Sequence, residues 1–358
     1  MKEIFSCFIF GILTISTWGQ NPDFREYMAS FAKENNFNGT ILIEKKSKTV
    51  YKESFGYANL PLKVESSVDN RYKIASITKA FTAVLILQLY EQGKIDLSKT
   101  INAYLPEYNG QGGDKVTIEE LLNMTSGIQN MDEGLSIESV LKNGMPQYQK
   151  PYTSDQMLTQ YCSGTLVSEP GTEFDYNNAD YIILGKIIEN LSGKSFAENL
   201  NDKILMPLQL NNTGLLSQQD IVEKLADTYF YRDDINKLTN DFPVYINNWY
   251  AAGAMYSSVD DISKFSDALF GHRLLNKNTL DKMLTPGLGE YGYGVWVYKD
   301  YDIKHKMYTI VKRPGSIMGA QAMLLHILEN GTTVIILCNT FTVSLDDLAA
   351  NIIDRIIE

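Results

Sequence analysis

Ile74-Ala75-Ser76-Ile77-Thr78-Lys79-Ala80-Phe81-Thr82-Ala83-Val84-Leu85-Ile86-Leu87-Gln88-Leu89 is the stretch on which the fold turns. From Ile77 to Gln92 it reads as one long helix, stopped by Gly93. Ala80, Phe81, Ala83, Val84, Leu85, Ile86, Leu87 and Leu89 leave it almost no polar face. A helix apolar on nearly all sides belongs inside a molecule, not on its surface. Lys79 sits three residues after Ser76. Positions i and i+3 share a helix face, so the amine reaches the serine hydroxyl. Burial strips water from an ammonium, lowers its pKa and can leave a neutral amine to act as base. Backbone N–H groups at the helix start point toward whatever reacts with the serine. The same Ser-x-x-Lys spacing recurs at Ser30–Lys33, in a polar helix, and at Ser139–Lys142, in a loop-rich stretch. Context selects Ser76, not the spacing alone.

Outward from this helix, β character lies at both ends of the chain. Asp23 to Asn35 reads as a helix with Phe24, Tyr27, Met28 and Phe31 on one side. Gly39–Glu44 and Thr49–Gly56 read as a hairpin around the charged turn Lys45–Lys48. Leu97 to about Leu284 reads as helices and loops, with helices begun at Thr117, over Asn178–Leu191 and over Asp260–Phe270. Tyr291–Tyr298, Met307–Arg313, Ala320–Leu328 and Thr332–Asn339 are predicted strands, and Leu345–Ile357 a closing amphipathic helix. This order predicts an α/β (α+β) fold. Its antiparallel sheet, of five strands or more, combines N- and C-terminal segments, carries flanking helices and accepts a mainly helical insertion. The sheet lobe spans about 20–75 and 285–358, the helical lobe about 76–284, within one domain over 20–358.

The chain has 358 residues, 44% of them hydrophobic and 21% charged, enough for a sizeable core. A formal charge of −11 argues against non-specific binding to nucleic acid or anionic membrane. Three Cys and three His against 22 Tyr exclude a disulfide-stapled scaffold and a zinc site of several His or Cys ligands. His272, His305 and His326 are scattered and read as surface or packed residues. Proton chemistry then falls to Tyr, Lys or carboxylates. At the start, Lys2 precedes an uncharged stretch from Ile4 to Pro22 whose apolar heart is Ile4–Ile15, with Thr17 and Gly19 at −3 and −1. This reads as a secretory signal over residues 1–19, cleaved at Gly19–Gln20, which makes the protein secreted or periplasmic. An uncleaved membrane anchor is the alternative. Cys162 and Cys338 read as two buried thiols.

The second chemical element is Tyr-x-Asn. Tyr176-Asn177-Asn178 stands in a turn after Pro170–Gly171 and opens a helix, whereas Tyr245-Ile246-Asn247 has no such entry. A phenol near an ammonium loses its proton more readily and can serve as general base or acid. The asparagine offers both donor and acceptor to an amide. No Gly-x-Ser-x-Gly elbow exists in the chain.

With Tyr72-Lys73-Ile74-Ala75-Ser76-Ile77-Thr78-Lys79 and Pro170-Gly171 before Phe174-Asp175-Tyr176-Asn177-Asn178, three further stretches complete a pattern. They are Gly93-Lys94-Ile95-Asp96-Leu97 leading to Tyr104-Leu105-Pro106, then Leu121-Leu122-Asn123-Met124-Thr125-Ser126-Gly127-Ile128, then Ala252-Gly253-Ala254-Met255-Tyr256-Ser257-Ser258 with Asp260-Asp261. From Gly39 to Asn339 the chain resembles the serine β-lactamase and penicillin-binding-protein superfamily, in its class C β-lactamase, DD-peptidase and esterase-like branch. The resemblance implies acylation of Ser76, with Lys79 and Tyr176 sharing the proton and Asn178 positioning a substrate amide. It places Arg313-Pro314-Gly315 at the family's Lys/His-x-Gly strand. There Arg313 is expected to hold a substrate carboxylate bidentately. Gly315 is expected to let substrate approach the backbone, and Ser316 to share an oxyanion hole with the N–H of Ser76. Pro314 fits only an edge strand or a strand end. Met124 replaces the histidine of many relatives and implies repacking, while Ser126 is a structural turn residue. No metal or organic cofactor is implied. The implied partner is a β-lactam, a D-amino-acid peptide such as D-Ala-D-Ala, or a small ester, with cell-wall association and a monomeric state. A penicillin- or peptidoglycan-binding homologue without turnover is the competing reading. Aromatics at Tyr148, Tyr152, Tyr229, Phe230, Tyr231, Phe242 and Tyr245 read equally as an apolar cleft or as ordinary packing.

Overall fold

The computed structural model describes residues 22–357, so the predicted signal over 1–19 lies outside the described residues. Six strands form the main sheet: β1 (Gly39–Lys45), β2 (Lys48–Phe55), β3 (Trp296–Ile303), β4 (Lys306–Ile317), β5 (Ala320–Ile327) and β6 (Thr332–Cys338). Their order is β3-β4-β5-β6-β1-β2, and every neighbouring pair is antiparallel. The two chain ends meet at β1 and β6, in register from Gly39 opposite Cys338 to Lys45 opposite Thr332. The large antiparallel sheet built from both ends is the one the sequence predicts.

Successive strand residues face opposite sides. Leu42, Ile335 and Leu337 therefore join the core beneath the helical body, while Ile41, Ile43, Val334, Ile336 and Cys338 join a second core. Helices α1 (Pro22–Glu34) and α5 (Leu345–Ile356) cover that second core through Phe24, Met28, Leu348 and Ile352. Both faces are covered, which is why Thr332–Cys338 is buried along its whole length. Each large apolar side chain buried this way contributes about 1.5–3 kcal/mol.

On the other face lies α2 (Thr78–Glu91), preceded by a 3-10 turn over Ala75–Ile77. Thr78 through Leu87 are all buried, as an all-apolar helix requires. Phe81 stacks on Phe265 of α4 (Val259–Phe270) at 3.8 Å between ring centroids. Helix α3 (Asn178–Ser192) packs beside α2, is capped by the Asn177 side chain, and ends at Gly193 with φ +68°.

The sequence reading is corrected in two places. Tyr291–Val295 is a turn, and β3 begins only at Trp296. Gly292 N–H bonds back to Val295 O at 2.8 Å, and Gly294 takes a φ of +77°, so this aromatic run cannot stay extended. The middle of the chain also holds short strands. Tyr229–Arg232 pairs with Lys237–Asn240, and Tyr72–Lys73 and Gly214–Leu215 both pair with Met255–Ser257. Two to four residues are too few to print an alternating pattern. Cys162 and Cys338 are both free and buried. His326 is buried against Phe270, while His272 and His305 are exposed.

Candidate active site

Three elements converge on Ser76: the start of α2, the start of α3 and the end of β4. The chain enters α2 through Ala75 at φ +45°, a conformation that costs a non-glycine residue about 1–3 kcal/mol. Thr78 Oγ1 donates to Ala75 O at 2.6 Å, and Ile74 N–H to Met255 O at 3.0 Å, which hold the bend. Ser76 stands at the mouth, half-buried, and one turn in, Lys79 is fully buried.

Lys79 Nζ donates to Ser76 Oγ at 3.2 Å, Asn178 Oδ1 at 2.6 Å and Ala252 O at 2.9 Å. Three acceptors match the three protons of an ammonium. Burial pushes Lys79 down to about 8; the charge of Arg313 adds to this, and Tyr176 and Asp132 oppose it. The amine is thereby brought within reach of neutral pH.

Tyr176 precedes the cap of α3, and Asn178 is the first helical residue, so one turn aims both side chains at Lys79. Asn177 fixes that turn by accepting from Ala179 N–H at 3.0 Å and donating to Ile128 O at 2.9 Å. The ring of Tyr176 lies 4.8 Å from Lys79 Nζ and stacks on Trp296 at 5.6 Å. Burial would raise this phenol, but the charges of Arg313 and then Lys79 overcome it and bring it down to about 8.

Arg313 stands at the strand position the resemblance gives it, but its side chain does not line the cavity. The side chain is 1% exposed and turned inward, away from any substrate carboxylate. Its guanidinium donates to Ser76 O at 2.6 Å, to Tyr291 Oη at 3.0 Å and to Tyr176 Oη. Burial opposes its charge, but the surrounding phenols, Tyr176 first, hold it above the ordinary guanidinium value. It is a fixed cation pinned behind the phenol.

Pro314 stands where β4 has outrun β3. The β3 pairing ends at Trp296 opposite Lys312, whereas β4 continues on β5 to Ile317 opposite Ala320. The missing N–H of Pro314 therefore breaks no ladder there. Gly315 lines the cavity and meets a further constraint. A Cβ on it would lie 2.4 Å from Ile74 O and 2.9 Å from Ser76 N, so the close approach is by the chain's own nucleophile turn. Gly315→Ala is expected to cost about 1–3 kcal/mol and to slow modification of Ser76 at least about tenfold. Denaturant melts and timed labelling check both numbers. Ser316 is exposed on the wall of the same cavity as Ser76.

Sequence reasoning missed a polar chain behind Asn178. Tyr148 Oη donates to Asp132 Oδ1 at 2.7 Å, and Asn178 Nδ2 to Asp132 Oδ2 at 2.6 Å. A carboxylate only accepts, so Asn178 must turn its amide N–H toward Asp132 and its oxygen toward Lys79. These two bonds fix the orientation of the Asn178 amide and use one of its two N–H groups. Of the two readings of Tyr148, cleft or packing, the structure shows packing: it is buried and stacked on Trp249 at 3.6 Å. Tyr291 and Trp296 were missed too. Met124 repacks the histidine position, its sulfur taking the Asn177 N–H at 3.4 Å, and Ser126 Oγ donates to Asp180 at 2.7 Å.

The cavity over Ser76 has a volume of about 640 Å³. Ser76, Tyr176, Gly315, Phe341 and Val343 are among the residues that line it.

The chain is similar to known proteins along most of its length. A putative penicillin-binding protein, PbpX, of Bacillus subtilis is 28% identical over 276 residues, covering 77% of this chain and 66% of that protein. Penicillin-binding protein 4* of the same organism is 27% identical over 328 residues, covering 87% of this chain and 70% of that one. The chain thus spans about two thirds of the length of these relatives. The crystal structure of a penicillin-binding protein from Bacillus halodurans superposes with a TM-score of 0.77 at 25% identity, over 91% of this chain and 98% of that one. The profile of the family described as Beta-lactamase matches residues 24–356, and the chain belongs to that family, within the superfamily of serine β-lactamases and penicillin-binding proteins.

Proposed function

We propose that the protein is a serine hydrolase that forms an acyl-enzyme on Ser76 from an amide or ester. One observation carries the reading: Ser76, Lys79, Tyr176 and Arg313 form a continuous hydrogen-bonded set at a cavity. Lys79, as an ammonium, donates to Ser76 Oγ, so the serine's own proton points elsewhere. Tyr176, drawn down by Arg313 and Lys79, is the acceptor for it. Ser76 Oγ then bonds to the carbonyl carbon, and the bond to the leaving group breaks. Tyr176 returns the proton to the leaving group, and water repeats the sequence to free Ser76. On this reading the N–H groups of Ser76 and Ser316 hold the carbonyl oxygen. The names of the relatives, penicillin-binding proteins, support penicillin as a candidate substrate, and the resemblance adds D-Ala-D-Ala-type peptides. The uncharged apolar stretch Ile4–Ile15 supports reading residues 1–19 as a secretory leader, and with it a secreted or periplasmic setting.

A fluorophosphonate tests the nucleophile: the Ser76 oxygen bonds to phosphorus and fluoride departs. One adduct on Ser76, absent from Ser76→Ala, is expected by mass spectrometry. An adduct that survives the substitution would sink the assignment. Release of more than one acyl group per protein from an ester separates a hydrolase from a binder acylated once.

A further inference from the structure

We propose that this site selects substrates carrying no carboxylate beside the reacting carbonyl, and favours a neutral or cationic group there. The proposal rests on the serine-hydrolase reading and names its substrate class. An enzyme that takes a substrate carboxylate out of water must give it a cation or several donors, because an unpaired buried carboxylate is costly. The natural cation, Arg313, is buried and committed to Tyr176, Tyr291 and Ser76 O. Lys79 is fully buried and committed to three acceptors. Lys312 is next to Arg313 on β4, so it points to the opposite face of the sheet. Its ammonium reaches Asp346 of α5, on the cavity rim, at 2.7 Å and lies over the Tyr298 ring at 5.0 Å, so it is already paired.

The cavity has the opposite character. Among the described residues that line it none is Lys, Arg or His, and its two charged members are Asp233 and Asp346. Asp346 is balanced by Lys312, which leaves Asp233 as the net charge on the rim. Tyr231, Trp296, Met323 and Phe341 supply apolar and aromatic wall. A carboxylate entering this space would lose hydration, find neutral donors such as Ser316, Gln321, Thr342 and Ser344 but no cation, and meet a like charge. An amide loses less, and an ammonium gains from Asp233 and from aromatic faces. The chain's formal charge of −11 adds a field of the same sign.

Three phenyl acetates test this, bearing meta-carboxylate, meta-carboxamide or meta-aminomethyl groups. In each, the acyl C–O bond breaks, and the phenol leaves with the proton. Rates are read for the full chain at low salt, with Ser76→Ala as the blank. The carboxamide and aminomethyl esters are expected to exceed the carboxylate ester in kcat/KM by at least about tenfold. The aminomethyl advantage is expected to shrink as salt is raised. A carboxylate ester hydrolysed as fast as the carboxamide, or faster, overturns the proposal while the hydrolase reading stands. Failure of all three to exceed the blank overturns the hydrolase reading and the proposal with it.

Discussion

Lys79→Met is expected to lower the rate of acylation at Ser76 by at least about a thousandfold while leaving a folded protein. Met has a similar reach and suits the fully buried pocket beneath Ser76. What it removes is the donor to Ser76 Oγ and one of the two charges that draw the Tyr176 phenol down. Both losses fall on proton transfer. Stability moves in two opposing directions. Asn178 Oδ1 and Ala252 O lose a donor, at about 1–3 kcal/mol for each group left unsatisfied. Against that, a cation no longer has to be held out of water, and this offsets much of the loss. A large activity deficit with a nearly unchanged thermal midpoint is therefore the expected signature, read from fluorophosphonate labelling rates and calorimetry. In the unsubstituted protein the same pair shapes the pH profile. Tyr176 must be deprotonated to accept, and Lys79 protonated to donate, and both lie near about 8. Activity should form a narrow bell near that pH, falling about tenfold per unit well to either side. A Lys79→Met variant within tenfold of the unsubstituted rate would remove Lys79 from the mechanism.

Sequence revealed one half of this site and hid the other, for physical reasons. Ser76 and Lys79 are local partners on a helix whose burial is printed in its composition, so both contact and desolvation are readable. Tyr176 and Asn178 are readable because a cap and a helix start fix where they point. Asp132 is not. Its partners Tyr148 and Asn178 lie 16 and 46 residues further on, Asp132 itself stands in a stretch with no periodic pattern, and only the fold brings the three together. For Arg313 the position was legible and the direction was not. The resemblance puts a cation on the strand, but whether it faces substrate or the interior depends on Tyr291 and Tyr176 lying behind it. Gly315 shows the same split: its small size was expected, yet the close packing of Ile74 and Ser76 backbone against it was not legible. In the sheet, Leu-, Ile- and Val-rich β1 and β6 were readable because both faces are buried. The Tyr291–Val295 turn was not, because its aromatic residues look like a strand while its glycines bend it.

Arg313→Met should shift the acid limb of activity upward by more than about one pH unit, with a loss of about a hundredfold at pH 7 that shrinks as pH rises. The sign follows from the forces on Tyr176. Burial favours the neutral phenol, and the charge of Arg313 is the foremost influence acting against it, ahead of Lys79. Without Arg313 the phenol's pKa rises, so at a given pH below it fewer molecules hold the base in its accepting form. Raising the pH restores that form, and so restores rate, until Lys79 loses its own proton. Arg313→Lys should fall between. A lysine returns the charge as a point, but it cannot span Ser76 O, Tyr291 and Tyr176 with one rigid fork. Tyr176→Phe provides the contrast, since no pH restores a base that is absent. The three variants together separate an electrostatic role from a structural one. If Arg313 served only to pack β4 against the Ser76 turn, Arg313→Met would lower the rate equally at every pH and leave the limb in place. Measured kcat/KM profiles from pH 6 to 10 on the carboxamide ester decide between a displaced limb and a uniform loss.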